Sequence, residues 1–464
     1  MKTKRILVIT VLMIVSMLFT ACQPAAPTQA PTPTQVEVVP TTPPTTEPVK
    51  LTLYSVAWMS THQAMLNQLI EKFNEEYSGR IEVEYIQGDW GEVENYLTAG
   101  VAGGGGIADL IEGGTDVGLG WYNQGFLTDL TPYITDEIRA TMPEELWASR
   151  TAADGAVFMS GTVTGNHILV FYNPALLEAA GVEPSTPDKL WTWDDLIANA
   201  TILTVDANGK HLGEAGFDAQ NVVQWGFMPR LDNEKVWEEA GAFCLQATGM
   251  PIIRRGGDGT WDAFFDEECL PVLKAYTDLV KLGVTSPMAV GLSGDSQNEL
   301  FYQGQAAMIL RGYFNVSVLE GLYPDFNFNV MPIPMSAANK FYYTDNLGQG
   351  YGIPVTSTHP AEAAEFMFWL QQPEQQAMHS SSLGMAPVNT AALQDPVLMD
   401  NPRWDTMRFY KSIEKLIAPE YNTNTWEWVT TVYAPPLMQV IMGEKDFNAA
   451  IDEIKAGGKA ILNQ

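Results

Sequence analysis

Apolar and polar residues alternate over residues 51–56 (LTLYSV), which predicts a strand. Leu66, Leu69, Ile70, Phe73 and Tyr77 then recur at three- and four-residue intervals, a helical stripe, and Ile81, Val83 and Tyr85 alternate again. Val93, Tyr96, Leu97 and Val101 form a second helical stripe, and 107–111 (IADLI) is a short apolar run, the mark of a buried strand. Strand, helix, strand, helix, strand is the grammar of an α/β domain with a largely parallel sheet. Ligands of such sheets bind beyond the carboxyl ends of the strands. Here those ends carry Trp58 and Asp116, an aromatic ring and a carboxylate in one expected crevice.

Between the second helix and the third strand, Gly103, Gly105 and Ala108 match the spacing G-x-G-x-x-A. A dinucleotide loop needs the order strand, glycines, helix, because the helix N-terminus supplies the amides and positive dipole for a phosphate. The order here is helix, glycines, strand. The glycines are expected to end a helix in left-handed backbone, and the match is fortuitous.

Residues 1–22 combine a basic start (Lys2, Lys4, Arg5) with an uncharged run from 6 to 20, the pattern of a signal peptide. It ends in Phe19-Thr20-Ala21-Cys22, which resembles a bacterial lipobox with Phe in place of the usual Leu. Cys22 is therefore the expected lipidation site. Residues 23–49 hold eight Pro and seven Thr, too little apolar matter for a core. They predict a disordered tether that could reach about 80 Å when extended. No later stretch is long and apolar enough to span a membrane.

The full chain of 464 residues has 25 Lys+Arg against 55 Asp+Glu, and without the leader's three basic residues the net charge is −33. That surface disfavours nucleic acid and anionic membrane, and argues weakly against a free anionic ligand. The two other cysteines, Cys244 and Cys269, would reach a disulfide-permissive compartment and are expected to pair, with two buried thiols as the alternative. The five histidines contain no H-x-x-x-H pair, Gly291-Leu292-Ser293-Gly294 misses G-x-S-x-G, and neither a metal nor a cofactor is expected. Trp261 and the acidic run Asp266-Glu267-Glu268 read as a solvated edge.

The remaining motifs occur in a familiar order: KFNEEYSG, TAGVAGGGGIADLIEG, WYNQGFLTDLTPYI, GNHILVFYNPALLEAAG, WTWDDLIANATILT, FYQGQAAMILRGYFN, FNVMPIPM and SLGMAPVNTAAL. Together they resemble the extracellular solute-binding proteins of sugar ABC importers, the maltose-binding-protein-like family 1, over nearly all of residues 50–464. The resemblance implies an α/β fold of two lobes, about 50–164 with 335–395 and about 165–330 with 396–464. Hinge crossings would lie near 164–168, 330–334 and 395–404, with the ligand cleft between the lobes. It also implies a non-enzymatic, monomeric, exported lipoprotein at the cell surface or in the periplasm. Such a protein touches the membrane only through its lipid and passes a carbohydrate to transmembrane permease subunits. Counted along the motifs, the implied ligand positions are Trp58, Asp116, Asn166, Arg311, Tyr313, Gln349, Trp426 and Trp428. Tyr313 and Asp116 would act from opposite lobes on one sugar. Rings pack against the C–H faces of sugars, while hydroxyls demand paired donors and acceptors. Two alternatives stay open. One is the same fold binding another solute, such as a polyamine; the other is a glycoside hydrolase, which needs two carboxylates about 5–9.5 Å apart.

Overall fold

The computed structural model describes residues 47–464 apart from 58, 166, 336–340, 345–347, 418–421 and 423, and gives the backbone alone at 116 and 344. Cys22, the leader, residues 23–46 of the tether, Trp58 and Asn166 lie outside the described residues; Val49, expected to end the tether, is already the first residue of a strand. In the first lobe, β1 (Val49–Ser55) runs parallel to β2 (Ile81–Gln87) and to β3 (Leu110–Gly114). The alternation of β1 sends Leu51 and Leu53 to one face of the sheet, with the helices Ser60–Glu76 and Pro360–Trp369. Tyr54 faces the other side, with the helix Val93–Gly103 and Trp121. The outer strand β2 keeps its alternation, with Ile81 and Val83 buried and Glu84 exposed, whereas Leu110 and Ile111 at the start of β3 are both buried. A fourth strand, labelled β7 below, joins β3 antiparallel and arrives late in the chain (Gln349–Gly352).

In the second lobe, β4 (Ile168–Tyr172), β5 (Met308–Gly312) and β6 (Asn329–Met331) form an antiparallel sheet in the order β6-β4-β5. All five side chains of β4, Ile-Leu-Val-Phe-Tyr, are buried. The separate parallel bridge from Met228 to Ile309 extends this sheet. The first core draws on residues between 51 and 159 and between 351 and 388; the second draws on 168–343 and 377–462.

The chain leaves the first lobe where 160–163 lies along β7. Val163 accepts from the Gln349 amide at 3.0 Å, and the Thr164 amide donates to Ala386 at 2.8 Å. A Cβ on Gly350 would stand 2.0 Å from the Ser160 carbonyl oxygen, so only glycine admits this approach. A little further on, the His167 ring stacks on Tyr343 at 4.2 Å and stands 3.0 Å from Glu414.

The helix Val93–Gly103 ends at Gly104, whose φ is +76°, and the amides of Gly104 and Gly105 turn back onto Val101 and Gly100 at 3.1 and 3.0 Å. These glycines are a helix stop. The Thr192 hydroxyl and the Asp195 carboxylate form the capping box of Trp193–Leu203. Cys244 and Cys269 are bonded, with Cα atoms 4.5 Å apart. Three local expectations need correction. The third strand starts at Leu110, because Asp109 turns inward to accept from the Thr52 amide at 2.9 Å. Trp261 is a member of the second core, held under the Arg255 guanidinium at 4.5 Å. Asp266 is engaged by Arg254 at 2.9 Å rather than simply solvated. Among the described residues no helix is long and apolar enough to cross a membrane.

Candidate ligand-binding site

The carboxyl end of β1 is fixed by a buried acid. Glu112 accepts from the Ser55 hydroxyl at 2.5 Å and from the Val56 amide at 2.7 Å. Burial pushes its carboxyl above the usual range, and the two hydrogen bonds act in the opposite direction. Glu112 thereby holds the segment that leaves β1 for the helix Ser60–Glu76. β3 runs directly into the helix Thr115–Asn123, so Asp116 belongs to the first turn rather than preceding it. An acidic residue is favoured there by the helix dipole.

In the second lobe the facing edge is the end of β5. The Tyr313 amide donates to the His167 carbonyl at 2.8 Å, which carries the β4–β5 ladder one residue beyond Gly312. The Tyr313 ring is fully buried and meets Trp404 edge-on at 4.8 Å. Its hydroxyl has no partner among the described residues. Tyr313 is therefore a core residue and not a platform. The next residue, Phe314, leaves the sheet and is only half-buried. It packs on a small apolar cluster of Val163, Leu383 and Met385, which also receives Met59 from the first lobe. Phe314 is the ring that the lobe boundary presents, and the sequence reading missed it by one position.

Arg311 is 9% exposed, with its guanidinium 5.2 Å from the Phe314 ring and Nη2 3.4 Å from Asn315 Oδ1. Gln349 is half-buried at the start of β7, beside the crossing, and its side-chain carbonyl is buried with no partner among the described residues. Trp426 and Trp428 are two apart on the short helix Thr425–Trp428, so their rings leave on roughly opposite faces. Trp426 is 54% exposed. Trp428 is fully buried, edge-on to Trp237 at 5.8 Å and stacked with Tyr433 at 5.2 Å across a π-helical turn. As a ligand contact Trp428 is corrected, because the core already covers both sides of it. The structure thus gathers Arg311, Gln349 and Phe314 about the line where the lobes meet and leaves Trp426 on the surface of the second lobe.

Residues 60–377 match the model of a single family, the bacterial extracellular solute-binding proteins. The chain belongs to this family. A lipoprotein of Streptomyces antibioticus, encoded 5′ of oleD, is 24% identical over 402 residues, covering 86% of this solute-binding protein and 79% of the relative. The sn-glycerol-3-phosphate-binding periplasmic protein UgpB of Pectobacterium atrosepticum is 22% identical over 433 residues, 86% of this chain and 88% of UgpB. Among solved structures, the cyclic alpha-maltosyl-1,6-maltose binding protein of Arthrobacter globiformis superposes with a TM-score of 0.70 at 20% identity, covering 90% of this chain and 99% of that one. Maltose-bound MalE3 of T. maritima gives 0.67 at 20% identity, with 88% and 98% covered. At such identities the likeness establishes the two-lobe fold with its interlobe cleft and leaves the ligand to the site itself.

Proposed function

We propose that this solute-binding protein captures a sugar or oligosaccharide between its lobes and delivers it to the transmembrane permease of an ABC importer. It performs no chemistry on its cargo. The carrying observation is the half-buried Phe314 ring at the lobe boundary, with the Arg311 guanidinium 5.2 Å from it and Gln349 bonded to Val163, on which the ring packs. An aromatic face with polar groups at its rim is what a sugar requires. The names of the structural neighbours agree, since several are maltose or oligosaccharide binders. Contact from both lobes would be complete only on closure, which couples occupancy to the shape that the permease meets. Asp116, Trp58 and Asn166, at strand ends and at the crossing, are proposed to complete the site, with Trp426 at its margin. Lipid on Cys22 would hold the protein at the membrane as a tethered monomer, its body bounded into lobes near 164, 330 and 395.

Two other readings fit less well. A polycation such as a polyamine would have to approach the buried Arg311 guanidinium. For hydrolysis, the adjacent acids Asp194 and Asp195 offer no pair, because Asp195 is engaged in the cap of its own helix. Thermal-shift measurement of the exported protein against a carbohydrate panel tests the proposal. A ligand at 100 times its dissociation constant stabilises by about 2.7 kcal/mol. A panel that leaves the melting temperature unmoved at millimolar concentration refutes the sugar reading, and release of free sugar from an oligosaccharide refutes the non-enzymatic one.

A further inference from the structure

The second lobe holds an arginine whose charge the protein does not balance. Arg311 is nine-tenths buried, and its Nε has no hydrogen-bond partner among the described residues. Among the described residues its one hydrogen bond is the 3.4 Å approach to the neutral Asn315, and that amide is already exchanging bonds of 2.9 and 3.0 Å with Asn298. No carboxylate among the described residues comes within ion-pair distance of the guanidinium. Every other described arginine in the second lobe with a buried or half-buried head is tied to an acid: Arg230 to Asp232, Arg254 to Asp266, Arg403 to Glu320 and Arg408 to Asp405.

The surroundings deepen the imbalance. Arg230 stands near enough to repel Arg311, and burial is the larger effect in drawing its pKa down to about 10, so it stays charged at neutral pH. Glu239, the acid that attracts it most, is pushed up to about 8 by burial and receives the Tyr276 hydroxyl at 2.6 Å, so at neutral pH it is largely protonated. Asp295 and Glu238 also attract Arg311, though only at longer range, and Glu238 is paired with Lys235 at 2.5 Å. Finally, Arg311 lies against the first residue of the helix Gly294–Tyr302: a Cβ on Gly294 would stand 2.7 Å from Nη1. A cation at a helix N-terminus opposes the dipole, whereas an anion there is favoured by both. A buried cation without a partner is costly, and such a group is retained where a ligand supplies the missing charge.

We infer that the ligand carries an oxyanion, a carboxylate or a phosphate ester on a sugar or polyol, and that Arg311 receives it at the N-terminus of the helix Gly294–Tyr302. This rests on the solute-capture reading above and adds the chemical class of the solute. The cost is local: a single anionic group at a buried guanidinium is compatible with an acidic outer surface, because the fork donates in the plane of the oxyanion at contact distance.

The test is a set of matched pairs measured by calorimetry on the exported protein: glucose with glucuronate, galactose with galacturonate, glycerol with glycerol 3-phosphate, and glucose with glucose 6-phosphate. At least one anionic member should bind roughly ten- to hundredfold tighter than its neutral partner. Carboxylate and phosphate arms distinguish the two sources. Arg311→Gln should abolish that preference, and Arg311→Lys should keep part of it. If neutral members bind as well as or better than every anionic one, the oxyanion is overturned while sugar capture stands. If no member binds, the oxyanion is overturned, and the carbohydrate panel above decides sugar capture separately. Should Arg311→Gln fail to fold, the matched pairs on the parent protein still decide. A parent preference that survives Arg311→Gln in a folded variant overturns the assignment to this arginine.

Discussion

Replacing the paired histidines His62 and His379 by leucine should remove an acid sensitivity that the parent protein carries. His62 lies on the helix Ser60–Glu76 and His379 on the helix Pro373–Leu383, where the two helices pack. Both rings are buried, the Nε2 atoms are 3.2 Å apart, and the Nδ1 atoms have no partner among the described residues. One neutral ring donates and the other accepts, so a second proton has nowhere favourable to sit. Burial lowers His62 from 6.5 to about 4 and lowers His379 well below its usual value, with the His62 charge a further cause. Above pH 6.5 both states are neutral and nothing is lost. As pH falls from 6.5 towards 4 the unfolded chain takes up protons that the folded one refuses, and stability declines. Below 4 the folded state protonates too and the loss levels off. For His62 alone the full loss is about 3 kcal/mol, of which roughly 2–3 kcal/mol has accrued by pH 4.5. Urea unfolding of parent and His62→Leu/His379→Leu proteins between pH 7.5 and 4.5 isolates the term, because carboxylate titrations cancel in the difference. A parent-minus-variant difference that stays constant across this range would refute the reasoning.

Tyr313→Ala should cost about 3–5 kcal/mol in stability as a core cavity, whereas Tyr313→Phe, which deletes an unpartnered buried hydroxyl, should be neutral or stabilising by about 1 kcal/mol. Phe314→Ala should leave stability within about 1 kcal/mol and weaken ligand about five- to thirtyfold by calorimetry; equal and opposite behaviour would restore Tyr313 as the platform. Glu239, raised to about 8, contributes stability that is complete below pH 4.5 and lost as pH rises through 8. Glu239→Gln should therefore gain on the parent by up to roughly 4 kcal/mol between those limits, and a gain that does not grow with pH counts against it. Reduction of Cys244–Cys269, which closes a separation of 25 residues, should lower stability by about 3 kcal/mol. Uptake of alkylating agent at both thiols without reductant would show that the bond does not form in the exported protein.

The sequence by itself determined the parts whose physics is local. The stripes at 66–77 and 93–101, the capping box at Thr192, and the reversed order of helix and glycines at 103–106 all depend on neighbours a few residues apart. Motif order over the whole body carried the family and its two lobes, because insertions shift such motifs without reordering them. Side-chain direction at the ends of strands was decided by tertiary structure. Whether Tyr313 or Phe314 faces the lobe boundary depends on how far the ladder to His167 continues, a contact 146 residues away that no local pattern encodes. The choice between Trp426 and Trp428 likewise follows from what Trp237 and Tyr433 cover. The isolation of Arg311 was invisible for the same reason. Any arginine reads as a paired surface charge until the fold fixes which acids are near it, which of them are protonated, and which are already taken.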